Sequence, residues 1–142
     1  MGGLDKFPAV VAVDVRYRDL DTFNHVNNAV YLTYFEQARV RYFRSLGWRS
    51  NDASVVVARA EVNYRKPIFL GDEVRVGCRV AAISRRSYVM EYLLLANGEP
   101  AADGQTVQVF LRGGKPDRLP NDLIEKILSI EAAVGNTPAS KA

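Results

Sequence analysis

Apolar and polar residues alternate along most of this chain, and the pattern predicts several strands and two helices. The first strand is predicted over residues 11–17, where every second residue is apolar. Four later strands are predicted over residues 58–65, 74–82, 88–95 and 105–112. Asn97 and Gly98 separate two of them and form a pair typical of tight hairpins. Residues 113–116 are rich in glycine and are predicted to end the sheet.

A long helix is predicted between the first strand and the others. It begins at Asn27 or Asn28, since an asparagine side chain can accept a hydrogen bond from an early helical N–H, and it ends near Gly47. Its apolar stripe at helical spacing consists of Tyr31, Phe35, Ala38, Tyr42 and Leu46. A short helix over residues 117–131, with Leu123, Ile124, Ile127 and Leu128 on its apolar side, and a frayed tail over residues 135–142 are predicted to follow.

Strands that gather after one long helix predict an α+β fold, in which the helix lies on one face of an antiparallel sheet. The aromatic residues on nearly all sides of the helix further indicate that the sheet wraps it closely. The chain is about one domain long and shows no internal repeat, so we predict a single domain over residues 1–142.

The composition is typical of a globular protein, with 48% hydrophobic and 25% charged residues. No apolar run approaches the roughly 20 residues that span a bilayer, so no membrane segment is predicted. The first ten residues lack the basic start and long apolar stretch of a secretory signal. A net charge of +3 is too small to predict nucleic-acid binding, but it is compatible with an anionic small ligand.

Cys78 is the only cysteine and His25 the only histidine. A single cysteine excludes an internal disulfide and is consistent with the reducing cytoplasm, where we expect the protein to be located. Structural zinc takes four nitrogen or sulfur ligands, so one histidine and one cysteine predict no metal site.

The residues directly before the long helix carry the most distinctive chemistry. Two carboxylates, an imidazole and two amides lie there, on Asp19, Asp21, His25, Asn27 and Asn28. Unpaired backbone N–H groups and the helix dipole favour negative charge at this position. Such a site can stabilise an oxyanion, which predicts a catalytic centre in this segment.

A wider set of residues around this segment matches a known signature. The set consists of residues 16–21, residues 25–28, Tyr31, Tyr34, Glu36, Ala38 and Arg39. It resembles the signature of the hotdog-fold acyl-CoA thioesterases, in the branch similar to hydroxybenzoyl-CoA thioesterase. It is also similar to the D-x-D-x-x-x-H-V-N-N run of plant acyl-carrier-protein thioesterases. With the Tyr64–Ile68 stretch and the strand order, the resemblance covers most of residues 8–112, the predicted core of the domain.

The resemblance implies an enzyme that hydrolyses an acyl-CoA thioester to the free acid and CoA, without a metal or redox cofactor. Asp21 would attack the thioester or activate water, and backbone N–H groups near Asn27 and Asn28 would polarise the thioester carbonyl. His25 and Asn24 would position groups around them. It also implies that two subunits pair edge to edge into one sheet, as a homodimer or a homotetramer, with active sites at the interface.

The chain departs from the family at two positions. Many bacterial members carry glycine where Asn24 stands. The acidic residue that plant relatives place after the equivalent of Tyr64, Arg65 and Lys66 is Pro67 here. A mechanism on this chain therefore depends on Asp21 and His25 rather than on a carboxylate at position 67.

Each candidate also has a structural interpretation. Asp21 could form only an Asx turn, but the signature favours a catalytic role. His25 could take part in catalysis or simply hold the start of the helix. Asn27 and Asn28 are favoured as caps and backbone organisers over side-chain catalysts. Asp19 is expected to be structural and to pair with a nearby arginine.

Two basic pairs are candidates for binding the phosphates of CoA. Arg85 and Arg86 lie in a predicted turn, and Arg65 and Lys66 form the competing pair. The forked guanidinium of arginine matches phosphate geometry well. Both pairs could equally be solvated surface charges.

Two other functions stay open. A hotdog dehydratase or hydratase would use a histidine and a carboxylate, here His25 and Glu36, although the proline-rich stretch that follows the histidine in those enzymes is missing. For Glu36 we favour an ion pair with Arg39, three positions further along the helix. A non-catalytic acyl-CoA-binding module would use the same cleft for sensing.

Overall fold

One antiparallel sheet and a long helix against its inner face make up most of the structure. The computed structural model describes residues 3–141; Met1, Gly2 and Ala142, at the ends of the predicted domain and tail, lie outside the described residues. The helices are α1 (Val30–Leu46) and α2 (Asn121–Ala132). The strands are β1 (Ala9–Val13), β2 (Ala53–Tyr64), β3 (Val74–Ile83), β4 (Ser87–Ala96), β5 (Glu99–Arg112), β6 (Lys115–Pro116) and β7 (Ala139–Ser140).

The strand order in the sheet is β1-β3-β4-β5-β2. All neighbours on this path are antiparallel, and β2 forms one edge of the sheet. The prediction of an α+β fold, with an antiparallel sheet around one central helix and a short C-terminal helix, is confirmed.

Helix α1 buries the apolar stripe that its sequence predicts. The buried residues are Tyr31, Tyr34, Phe35, Ala38, Tyr42 and Leu46. The helix ends at Gly47, whose φ of 67° is left-handed and suits glycine. Ala29 occupies the N-terminal capping position, so the prediction of an Asn27 or Asn28 cap is wrong. Asn27 instead stabilises the turn just before the helix, because its Oδ1 accepts a hydrogen bond of 3.0 Å from the N–H of Ala29.

Strand β1 ends four residues before its predicted end at Tyr17. Asp19 accepts hydrogen bonds from the backbone and side chain of Arg16, and this local pairing closes a 3₁₀ turn over Tyr17–Asp19. Such bonds compete with a strand ladder. Tyr17, predicted on the inner face, is therefore 81% exposed.

The hairpin between β4 and β5 is confirmed, with positive φ at Asn97 (53°) and Gly98 (81°). The sheet does not end at residues 113–116 as predicted. Gly113 and Gly114 also have positive φ, of 60° and 80°, and turn the chain back so that β6 pairs with β5.

Helix α2 begins at Asn121, four residues later than predicted, and covers one end of the core. Leu123 and Ile127 are buried as predicted, whereas Leu128 is exposed. The carboxylate of Glu131 is also buried, a feature that the sequence pattern did not predict.

Glu131 joins three elements of the fold. Its Oε2 accepts hydrogen bonds from the hydroxyl of Tyr42 on α1 (2.6 Å) and from the N–H of Val80 on β3 (2.8 Å). Its Oε1 accepts one from Nδ2 of Asn136 (2.9 Å). Burial and the hydrogen bond to Glu131 raise the pKa of Tyr42, so its hydroxyl keeps the proton that it donates.

The C-terminal segment folds back onto the sheet. Ala139 and Ser140 pair in parallel with Ala82 and Ile83, and the N–H of Lys141 donates to the carbonyl of Ile83. The prediction of a frayed tail is therefore wrong for residues 139–141, because free backbone groups at the end of β3 bind them.

Candidate active site

A tight loop between β1 and α1 carries Asp21 and His25. The N–H of Asp21 donates to the carbonyl of His25 (2.9 Å), and the N–H of Asn24 donates to the carbonyl of Asp21 (3.1 Å). Asn24 has a left-handed φ of 65°, which explains why a glycine suits this position in related sequences. The loop therefore brings the side chains at positions 21 and 25 to the same side.

The carboxylate of Asp21 has two different neighbours. Its Oδ1 accepts a hydrogen bond from the N–H of Phe23 (2.8 Å), which is the Asx turn considered as the structural role. Its Oδ2 lies 3.4 Å from Nδ1 of His25. The side chains of Asp21 and His25 are 26% and 34% exposed. The pair is thus held in place and still open to a ligand.

Two aromatic side chains flank the imidazole of this pair. The ring of His25 lies between Phe23 and Phe69, with centroid distances of 6.2 and 6.5 Å. Phe23 and Phe69 are themselves exposed, as are Tyr17 and Leu70. Large apolar side chains clustered at a surface are typical of a site that is covered by a ligand or a partner.

Asp19 anchors the loop to α1. Its carboxylate is buried and accepts hydrogen bonds from the hydroxyl of Tyr34 (2.7 Å) and from the backbone N–H of Arg16 (2.9 Å). Its other oxygen lies 3.0 Å from Nη2 of Arg16, so the predicted pairing with an arginine is confirmed. Desolvation opposes ionisation, but the hydrogen bonds from Arg16 and Tyr34 hold the pKa of Asp19 below its usual value.

The start of α1 offers fewer free donors than the sequence predicts. The N–H of Asn27 donates to the carbonyl of Asp19 (2.9 Å), and the N–H groups of Ala29 and Val30 donate to Asn27. Within residues 3–141, the N–H of Asn28 makes no such hydrogen bond. The carbonyl of Asn28 accepts a bond of 2.9 Å from the hydroxyl of Tyr64, which fixes the orientation of this peptide. Asn28 therefore offers an available backbone donor at the helix start.

Of the two basic pairs, only Arg65 and Lys66 lie at this end of the molecule. They directly follow Tyr64, which contacts Asn28. Both are already paired with carboxylates: Arg65 makes two hydrogen bonds to Asp103 (2.9 and 3.2 Å), and Lys66 contacts Glu99.

Arg85 and Arg86 lie in the turn after β3, at the far end of that strand. The other end of β3 pairs with the end of β1, close to the loop that carries Asp21. Ten residues of strand separate the two ends, which is about 30 Å at roughly 3.3 Å per residue. One chain therefore does not bring these arginines and Asp21 together.

Glu36 and Arg39 form the expected ion pair on α1, at 3.8 Å. Nη1 of Arg39 also donates to the hydroxyl of Tyr92 (3.0 Å). That hydroxyl is hydrogen-bonded to Thr106, which also accepts from Gln108, and these residues lie beneath the helix. Sequence spacing alone did not predict this buried polar group. The available signal was the presence of polar residues at positions 106 and 108, which share the parity of the apolar Phe110.

Comparison with known proteins places the chain in a family. The sequence profile of the Thioesterase-like superfamily matches residues 15–127. The chain therefore belongs to the Thioesterase-like superfamily.

The proteins to which this chain is similar include two named as thioesterases and one named as a CoA hydrolase. A thioesterase from Thermus thermophilus, crystallised with coenzyme A and Zn, is 49% identical with a TM-score of 0.84; the match covers 89% of this chain and 96% of that one. The long-chain acyl-CoA thioesterase FadM of Escherichia coli is 28% identical over 81% of this chain and 93% of its own length. The 1,4-dihydroxy-2-naphthoyl-CoA hydrolase of Synechococcus elongatus is 26% identical over 75% and 83%. Among the described residues, neither helix has the length and apolar character needed to cross a membrane.

Proposed function

We propose that this chain is an acyl-CoA thioesterase that hydrolyses an acyl-CoA thioester to the free acid and CoA. The observation that carries the proposal is the partly exposed pair of Asp21 and His25 at the start of α1, in a member of the Thioesterase-like superfamily. The apolar side chains around the pair support an acyl substrate, because they offer a surface on which an acyl group can displace water.

Asp21 is the reacting carboxylate in this proposal. As a general base, it takes a proton from a water molecule that attacks the thioester carbon. As a nucleophile, it forms an acyl-enzyme anhydride that water then cleaves. In both routes the C–S bond breaks, the acyl group gains a water oxygen, and the CoA thiolate leaves and is protonated. This chemistry needs no metal or redox cofactor, and CoA takes part only as a portion of the substrate.

The other residues of the loop position the reacting groups. The N–H of Asn28 faces the charge that develops on the thioester oxygen, where a fixed donor stabilises the transition state. His25 holds Oδ2 of Asp21, Asn24 permits the tight loop, and Asn27 organises the backbone.

Arg65 and Lys66 are the proposed contacts for the phosphates of CoA, because they lie at the same end of the molecule. A phosphate would share these cations with Asp103 and Glu99. Arg85 and Arg86 could contribute only from another copy of the chain.

We further propose a homodimer that forms through the edge strand β2. Within the described residues 3–141, its 12 residues pair on one side only, with β5, and a long unpaired edge with exposed valines favours pairing with another strand. A second copy in antiparallel register would extend the sheet, and two such dimers could form a tetramer. Light scattering coupled to size-exclusion chromatography measures the mass of the oligomer directly.

A panel of acyl-CoA thioesters tests the proposed reaction. The released thiol is followed colourimetrically for short, long and aromatic acyl groups, and we expect turnover of at least one class. Hydration of an enoyl-CoA without thioester cleavage would instead indicate a hydratase that uses His25 and Glu36. Tight acyl-CoA binding by calorimetry without any released thiol would indicate a binding module.

A further inference from the structure

A groove runs along the exposed side of α1, between the helix and the inner faces of β2 and β5. Its wider part has a volume of about 600 Å³, and a narrower part of about 260 Å³ continues toward the helix start. Glu36, Arg39 and Val57 line both parts. The remaining wall combines the polar residues Thr33, Arg44 and Arg49 with the apolar residues Leu32, Val40, Phe43, Trp48, Val55 and Ala60.

A chain of hydrogen bonds lies beneath this groove. Arg39 donates to the hydroxyl of Tyr92, which lies 2.7 Å from Oγ1 of Thr106. Nε2 of Gln108 donates to the same Oγ1. Thr106 and Gln108 are both buried on the inner face of β5, so these four side chains form a polar floor under the groove.

One acceptor of the polar floor has no partner. Oε1 of Gln108 makes no hydrogen bond in the described part of the chain, although Gln108 is 0% exposed and lines the groove. Tyr88, its cross-strand partner on β4, also has a hydroxyl without a partner there. Leaving a buried carbonyl oxygen unpaired costs free energy. Because Gln108 lines the groove, a small shift of its side-chain amide would present this oxygen to a ligand that brings the missing donor.

We propose that Gln108 is a specificity-determining residue, which binds a hydroxyl group carried far along the acyl chain of the substrate. The inference rests on the proposed thioesterase function, which places the thioester at the helix start. The hydroxyl donates to Oε1 of Gln108, and its oxygen can accept from Arg39, which lines the same groove. The apolar wall packs against the methylene groups between the hydroxyl and the thioester.

The geometry of α1 gives the position of this hydroxyl. Arg39 follows Asn28 by 11 residues, which is about 16 Å at roughly 1.5 Å per helical residue. With bonds of about 1.5 Å and angles near 111°, an extended chain advances about 1.3 Å per carbon. The hydroxyl should therefore lie roughly 12 carbons from the thioester carbon.

Three CoA thioesters of the same chain length test the proposal: 12-hydroxydodecanoyl-CoA, dodecanoyl-CoA and 3-hydroxydodecanoyl-CoA. We expect kcat/KM of the wild type to be about tenfold higher for the 12-hydroxy substrate than for the other two, the gain of one hydrogen bond to a buried acceptor. Gln108→Met should reduce this ratio to about one. Gln105→Met is the matched control, because Gln105 lies on the opposite face of β5, and it should keep the wild-type ratio.

Equal kcat/KM for the three substrates in the wild type would overturn the inference, and so would an unchanged ratio in a folded Gln108→Met variant. If no thioester is cleaved, the proposed function fails, and the role of Gln108 is then tested by the binding of free acids. Calorimetry with the free acids should then show tighter binding of 12-hydroxydodecanoic acid than of dodecanoic acid to the wild type. Equal affinities for the two acids would contradict the role of Gln108.

Discussion

Replacing Asp19 by alanine should detach the loop that carries Asp21 and destabilise the fold. Alanine removes both carboxylate oxygens, of which Oδ2 accepts from the hydroxyl of Tyr34 and the N–H of Arg16, and Oδ1 accepts from the Arg16 side chain. The hydroxyl of Tyr34 is buried, so losing its partner is the larger cost. The Arg16 side chain is 58% exposed, and solvent screens its contribution.

Together these losses amount to about 2–3 kcal/mol in the free energy of unfolding. Tyr34→Phe removes only one hydrogen bond and should cost about 1 kcal/mol. Asp14→Ala is the matched control, because Asp14 is exposed nearby on the chain, and its change should stay within about 0.5 kcal/mol. Urea unfolding followed by circular dichroism measures all three variants.

The pH dependence gives an independent check on Asp19. Its pKa is lower in the folded state than its ordinary value of 3.8, so ionised Asp19 stabilises the fold above that value. The contribution is lost as the pH falls through the folded pKa. The difference in stability between the wild type and Asp19→Ala should therefore shrink below about pH 4. A difference that is under about 0.5 kcal/mol at pH 7, or that stays constant on acidification, would refute this reasoning.

Two further predictions concern the core. Glu131→Ala leaves the hydroxyl of Tyr42 and a strand N–H buried without a partner, and should lower the free energy of unfolding by about 4 kcal/mol. Glu125→Ala, on the exposed side of α2, should change it little, and equal effects of the two would contradict the role of Glu131. At Gly104, a Cβ atom would lie 2.1 Å from the carbonyl oxygen of Glu61. Gly104→Ala should cost about 3 kcal/mol in the same urea assay, and a stable variant would show that β2 and β5 can separate.

The sequence predicts those parts of the fold that depend on hydrophobic periodicity. The buried stripe of α1 and the alternating valines of β3 follow directly from their spacing. The hairpin at Asn97 and Gly98 follows from turn chemistry. In each of these places the local preference and the tertiary contacts favour the same structure.

Other features depend on contacts that sequence spacing does not contain. β1 ends early because Arg16 and Asp19 bond to each other, and the tail is ordered by free groups at the end of β3. The sequence predicts the segment before α1 as the candidate site, but the distance of Arg85 from it depends on strand direction. Gln108 is recognised as unusual only after the register of β5 shows that its side chain is buried.

Single-turnover hydrolysis by Asp21→Asn tests the central claim most directly. Asparagine keeps the acceptor for the N–H of Phe23 and removes the charge beside His25, so the loop should persist while the reacting group is lost. On the best substrate of the panel, the rate should fall by about 10²- to 10⁴-fold. The circular dichroism spectrum and oligomer mass should match the wild type, and Asp14→Asn should retain normal rates. Near-normal hydrolysis by a folded Asp21→Asn variant would contradict the account.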